Sequence, residues 1–93
     1  MVVRILQNND DLHEYMTGLC RELQAIGYRQ MAEKVAFASR FISGSPTEFL
    51  HEAVNALVEV RQICNSALST ESAEQLVGVI SQIEASFRKV GGV

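Results

Sequence analysis

The segment 46–68 constrains the fold of this 93-residue chain more than any other segment. At about 100° per residue its polar side chains share one narrow stripe, and its apolar side chains cover an arc of roughly 220°. A helix that packs one face on a core needs an apolar stripe only a little wider than ~100°. The polar stripe consists of Glu48, Glu52, Asn55, Glu59, Gln62 and Ser66. We therefore expect residues 46–68 to form a central helix with partners on more than one side.

The start of this helix is marked by a capping box. Ser45 is followed by Pro46 at the first helical position and by Glu48 three residues on. The Ser45 hydroxyl can accept from the backbone N–H of Glu48, whose carboxylate can reach back to the N–H of Ser45. This pattern predicts that the helix begins at residue 46.

Three other segments, residues 10–26, 28–42 and 70–90, repeat apolar side chains at the spacing of a helix. Cap-competent residues precede the first and the last segment, and Gly27 ends the first. The side chains expected to face the core are Leu12, Tyr15, Met16, Leu19, Leu23, Ile26, Tyr28, Met31, Val35, Ala38, Ile42, Ala73, Leu76, Ile80, Ile83 and Phe87. These patterns predict three further helices.

The chain shows no sustained alternation of apolar and polar residues and no Asn-Gly or Asp-Gly hairpin turn. Short connections between helices favour antiparallel neighbours. We therefore predict an all-α fold, an antiparallel up-down-up-down four-helix bundle, in a single domain spanning residues 1–93. Residues 1–7 form an apolar arm, and the sequence leaves open whether it extends the first helix, docks as an extended segment or frays.

Composition excludes several classes of protein. Hydrophobic residues make up 47% of the chain and charged residues 20%, which is too apolar for disorder. The apolar runs are too short for a transmembrane span, and the first residues do not resemble a signal peptide, so we expect a cytoplasmic protein. The net charge is −3, from eight Lys and Arg against eleven Asp and Glu. No face collects the cations that nucleic acid or an anionic membrane would require.

Motifs that carry chemistry are incomplete in this sequence. His13 and His51 each begin half of an HExxH zinc motif, and the second histidine is missing in both. The ExxE run at 71–74 has no matching acidic partner, and its carboxylates suit a helix N-terminus. Cys20 and Cys64 lack CxxC spacing and are expected to be buried, reduced thiols. We predict no catalytic residue, no metal and no cofactor, and expect that the chain is not an enzyme.

Phe37 and Phe41 are the most informative residues of the second segment. They lie four residues apart, on one side of the predicted helix, and point away from its core-facing residues. Lys34 continues the same stripe. In one interpretation Phe41 packs at the core edge and Phe37 packs under the arm or a neighbouring turn. In the other the two rings are an aromatic anchor for another chain, because exposed aromatic patches mark interfaces.

These observations favour a small acidic helical protein–protein interaction module that binds itself as a homodimer or binds another protein. The residues predicted to contact the partner are Phe37, Phe41, Lys34, Glu48, Glu52 and Glu59. An alternative is a toxin-immunity or antitoxin-type inhibitor, which would cover a cationic partner surface with the acidic stripe and the acids of residues 10–14. A metal-dependent hydrolase is a second alternative.

Overall fold

The computed structural model describes residues 5–89, with side chains through Phe87. Four α-helices follow one another: α1 (Asn9–Ala25), α2 (Arg29–Ser39), α3 (Pro46–Cys64) and α4 (Thr70–Lys89). Single 3-10 turns at Arg40–Ser43 and Asn65–Ala67 follow α2 and α3. This part of the chain contains no strand, and the all-α four-helix prediction is confirmed.

Helix α3 provides the centre of the core and contacts both α2 and α4. Its completely buried side chains include Phe49, Leu57 and Val60. The buried positions of α3 span about 100° of its circumference at 3.6 residues per turn, and Leu50, Val54 and Val58 on the flank are only half-buried. The predicted arc of roughly 220° was therefore too wide as a measure of full burial. Ile63, counted in that arc, is 53% exposed.

The other helices bury most of the side chains that were expected to face inward. Tyr28, Ile42, Ala73 and Phe87 are half-buried at the core edge rather than fully enclosed. Ile26 is 40% exposed because it follows α1 as its C-cap, with φ −96° and ψ 6°, where the backbone has left the helical path. The sequence did not indicate burial of Ala32 and Val79, which are both enclosed. The buried residues of these three helices are Leu12, Tyr15, Met16, Leu19, Leu23, Met31, Ala32, Val35, Ala38, Leu76, Val79, Ile80 and Ile83.

The second helix is shorter than predicted. The expected span 28–42 is replaced by α2, which ends at Ser39, and by the 3-10 turn Arg40–Ser43. In this turn the N–H of Gly44 donates to the carbonyl of Phe41 (2.9 Å), and a 3-10 geometry of this kind commonly tightens the last turn of a helix. Helical spacing of apolar residues continues through both, so periodicity could not separate them.

A Schellman motif joins α1 to α2. The N–H of Tyr28 donates to the carbonyl of Leu23 (2.8 Å), and the N–H of Gly27 donates to that of Gln24 (3.2 Å). Gly27 has a φ of +93°, which L-residues with a Cβ rarely adopt. Glycine is therefore required at this turn, which fixes the direction in which α2 leaves α1.

Alanine at Gly27 and alanine at Gly18 are expected to change stability in opposite directions. Gly27→Ala should lower the free energy of unfolding by about 1–2 kcal/mol through left-handed backbone strain. Gly18 lies inside α1, and a Cβ there would meet no atom within 4 Å, so Gly18→Ala should raise the free energy of unfolding by about 0.5–1 kcal/mol. Urea denaturation followed by circular dichroism measures both. Changes of the same sign would contradict this description of the turn.

Three side chains cap the helix N-termini as the sequence predicted. Asn8 Oδ1 accepts from the N–H of Asp11 (2.9 Å) and Ser69 Oγ accepts from that of Ser72 (3.1 Å). Ser45 Oγ accepts from the N–H of Glu48 over a longer distance, 3.5 Å. The reciprocal bond from the Glu48 carboxylate does not appear among the hydrogen bonds of residues 5–89, so this box is half-formed.

The described part of the N-terminal arm, residues 5–7, has no regular secondary structure and docks through Leu6. The N–H of Leu6 donates to Oε1 of Gln82 (2.7 Å), and Leu6 packs against the core; residues 1–4 lie outside the described part. At the other end of α1, Ser72 Oγ donates to Oε1 of Glu22 (2.9 Å). The C-terminal end of α1 thus contacts the N-terminal end of α4, as expected for two antiparallel helices. The complete up-down-up-down order stays a prediction.

The core enclosed by these helices is apolar. Between residues 5 and 87 no polar or charged side chain is fully buried. Cys64 is enclosed and Cys20 half-buried, both as free thiols. No helix in the described chain combines the length and hydropathy needed to cross a membrane.

Candidate interaction groove between α2 and α3

An open groove of about 870 Å³ runs between α2 and α3. The two helices provide opposite walls, and Ala36, Ala38 and Ala56 contribute small side chains between longer ones. The longer side chains that line it are Gln30, Glu33, Lys34, Phe37, Arg40, Glu52, Asn55 and Glu59. The groove therefore combines small apolar side chains with an aromatic ring and charges of both signs.

The aromatic pair forms as predicted. The ring centroids of Phe37 and Phe41 are 5.5 Å apart with an interplanar angle of 79°, an edge-to-face contact of the kind that aromatic quadrupoles favour. Phe41 packs at the core edge. Phe37 is 57% exposed, so within the described residues neither the arm nor a neighbouring turn covers this ring.

An ion pair crosses the groove. The ammonium of Lys34 contacts a carboxylate oxygen of Glu59, and both side chains are partly exposed. Such exposed pairs contribute only about 0–1 kcal/mol to stability, and the pair's main effect here is to neutralise Glu59. Glu33, Arg40 and Glu52 have no ion-pair partner within residues 5–87.

The groove gathers four of the six residues predicted to contact a partner: Phe37, Lys34, Glu52 and Glu59. Phe41 supports the Phe37 ring from the core edge. Glu48 lies outside the groove, exposed in the first turn of α3.

Sequence reasoning missed Glu33 and Arg40 as members of the groove. A signal for them was present, because they lie four residues before and three residues after Phe37. These are the spacings at which side chains share one face of a helix.

The histidines and cysteines lie apart from the groove. The rings of His51 and Phe87 are in contact, with centroids 4.7 Å apart. Cys20 Sγ donates to the carbonyl of Ala32 (3.3 Å), and burial raises the pKa of both the Cys20 and the Cys64 thiol. In the described chain no three His, Cys, Asp or Glu side chains converge as metal ligands.

Neither a family model, nor a curated protein, nor a solved structure matches this chain.

Proposed function

We propose that this chain is a protein–protein interaction module that forms a homodimer through the groove between α2 and α3. The observation that supports this most strongly is Phe37, a large aromatic ring that is 57% exposed at the groove. Full burial of a Phe side chain yields about 1.5–3 kcal/mol, so covering the exposed part of this ring should yield about 1–2 kcal/mol per copy. Aromatic anchors surrounded by polar residues are typical of the energetic centres of interfaces.

The charges favour a second copy over a cationic partner. An inhibitor that covers a basic surface needs its acids together and unpaired, yet Glu59 is bound by Lys34 and Glu48 lies outside the groove. A two-fold symmetric contact places one patch against itself and therefore needs both signs within that patch. The groove meets this requirement with three acidic and two basic side chains.

The proposal assigns no catalytic step, metal or cofactor to the chain. It places the dimer in the cytoplasm, following the sequence prediction, and involves neither nucleic acid nor membrane. Inhibition of a cationic partner stays an alternative prediction. A metal-dependent hydrolase gains no support from the described side chains, since no three potential ligands converge.

The mass of the protein in solution tests the proposal. Sedimentation equilibrium should show a mass that rises with concentration toward twice the monomer mass. Phe37→Asp should raise the dimer dissociation constant by about 30-fold or more, the effect of losing a hot-spot residue worth at least ~2 kcal/mol.

Ile63→Asp is the matched control, because Ile63 is a similarly exposed apolar residue (53%) that does not line the groove. This variant should dimerise like the unaltered chain. A chain that remains monomeric at every concentration, or an Ile63→Asp variant weakened as much as Phe37→Asp, would refute dimerisation through the groove.

A further inference from the structure

We infer that two copies pair with their α2 helices antiparallel about a two-fold axis at Phe37, and that Arg40 of each copy binds Glu33 of the second copy. This inference rests on the proposed homodimer and specifies its register and the residues that determine specificity. It follows from the positions of three charged side chains around Phe37.

Glu33 and Arg40 flank Phe37 at nearly equal distances along the helix. At 1.5 Å per residue, Glu33 lies ~6 Å before Phe37 and Arg40 lies ~4.5 Å after it. The helical path continues to Arg40, whose φ of −68° and ψ of −21° are right-handed helical values. A two-fold axis perpendicular to α2 at Phe37 exchanges these two positions, so Arg40 of one copy arrives opposite Glu33 of the other.

The rotation of the side chains around α2 agrees with this pairing. At 100° per residue, Glu33 and Arg40 lie about 40° and 60° to the same side of Phe37, while Lys34 lies about 60° to the other side. An antiparallel pair of helices related by such an axis brings matching sides together. Lys34 is therefore kept away from Arg40 of the second copy, on the side where it is paired with Glu59.

The charged side chains that lack an ion-pair partner in the described part of the single chain also agree with this register. Glu33 and Arg40 are both exposed and have no ion-pair partner between residues 5 and 87, whereas Lys34 is already engaged. Across the two-fold axis Arg40 of each copy pairs with Glu33 of the second copy, so the dimer contains two such ion pairs. The two Phe37 rings meet at the axis between these pairs, which shields the charged contacts from water and strengthens them.

Charge reversal tests the register. Arg40→Glu and Glu33→Arg each create two like-charge contacts and should raise the dimer dissociation constant by about 10-fold or more. The double variant restores both pairs and should dimerise like the unaltered chain. An equimolar mixture of the two single variants should form a mixed dimer, because every cross-contact then joins opposite charges.

Arg61→Glu and Glu71→Arg are matched controls, since each changes the net charge equally at an exposed position outside the groove. Both should dimerise normally. If a reversed variant fails to fold by circular dichroism, Arg40→Gln and Glu33→Gln replace it. Each of these should weaken the dimer and reduce its dependence on salt.

The outcomes separate this inference from the proposed function. If the unaltered chain never dimerises, or if Phe37→Asp has no effect, the proposed function fails and the register fails with it. If dimerisation depends on Phe37 but the reversed single variants still dimerise, or their mixture forms no mixed dimer, only the register is wrong. If the single variants dimerise more weakly, and the double variant and the mixture dimerise like the unaltered chain, the results support both the proposed function and the register.

Discussion

Replacing Phe49 by alanine is expected to lower the free energy of unfolding by about 3–5 kcal/mol. Phe49 is completely buried in the first turns of α3, the helix that contacts both α2 and α4. The substitution removes apolar surface and leaves a cavity that the surrounding side chains only partly fill. Domains of this size have a total stability of about 5–15 kcal/mol, so this one substitution should remove a large share of the free energy of unfolding.

Phe37→Ala is the matched control, because it makes the same chemical change at a ring that is 57% exposed. In urea denaturation at concentrations where the chain is monomeric, Phe37→Ala should change the free energy of unfolding by less than about 1 kcal/mol. Equal losses at the two positions would mean that α3 does not provide the centre of the core.

The thiol of Cys64 is expected to react with a disulfide reagent at least about 10³-fold more slowly in the folded chain than in denaturant. Cys64 is completely buried, so labelling requires an opening event whose free energy approaches the global value of about 5 kcal/mol or more. Burial also raises the pKa of this thiol, which lowers the fraction of reactive thiolate. The measurement uses a Cys20→Ala background, with absorbance of the released reagent as the readout.

The comparison is a Cys64→Ala background that leaves Cys20. Cys20 is half-buried and donates to the carbonyl of Ala32, so it should be protected less than Cys64. Fast labelling of Cys64 in folded protein would place it outside the core.

Because of the same two thiols, we expect the free energy of unfolding to fall at alkaline pH. Burial raises the pKa of both in the folded chain, so above the ordinary thiol pKa of about 8.5 the unfolded chain loses the proton first. The stability that the protonated thiols contribute to the folded chain is fully present below about pH 8.5. It is lost as the pH rises through the raised pKa values of the folded chain. Urea denaturation from pH 7 to 10 should show a decline that is smaller in the double alanine variant. An unchanged decline would show that the thiols do not cause it.

Much of the helical arrangement could be predicted because its signals are local. The start of α3 follows from Ser45, Pro46 and Glu48, since a cap acts within four residues. The turn at Gly27 follows from the left-handed backbone that only glycine adopts readily. The burial of Leu57 and Val60 follows from their positions within the apolar arc of α3, opposite its polar stripe.

Other features depend on contacts between segments far apart in the sequence. Whether Phe37 is covered depends on the rotation of α2 against α3, which helical spacing alone leaves undetermined. The pairing of Lys34 with Glu59 joins residues 25 positions apart. Ile26 is exposed because a backbone turn removes it from the helical face, although its spacing matches the buried residues. Four residues of the groove could therefore be predicted from the sequence, but its other residues and its shape could not.

The absence of fully buried polar side chains from residues 5–87 has a consequence for how this sequence can change. The interior consists mainly of aliphatic and aromatic side chains, and such interiors accept exchanges among aliphatic residues when total volume is kept. The helix caps and the turn at Gly27 then largely determine where the helices begin and end and how they are arranged. In the proposed dimer, mutations in the interior would change stability and mutations in Glu33 or Arg40 would change pairing, so descendants of this chain could acquire new pairing preferences while their fold stays intact.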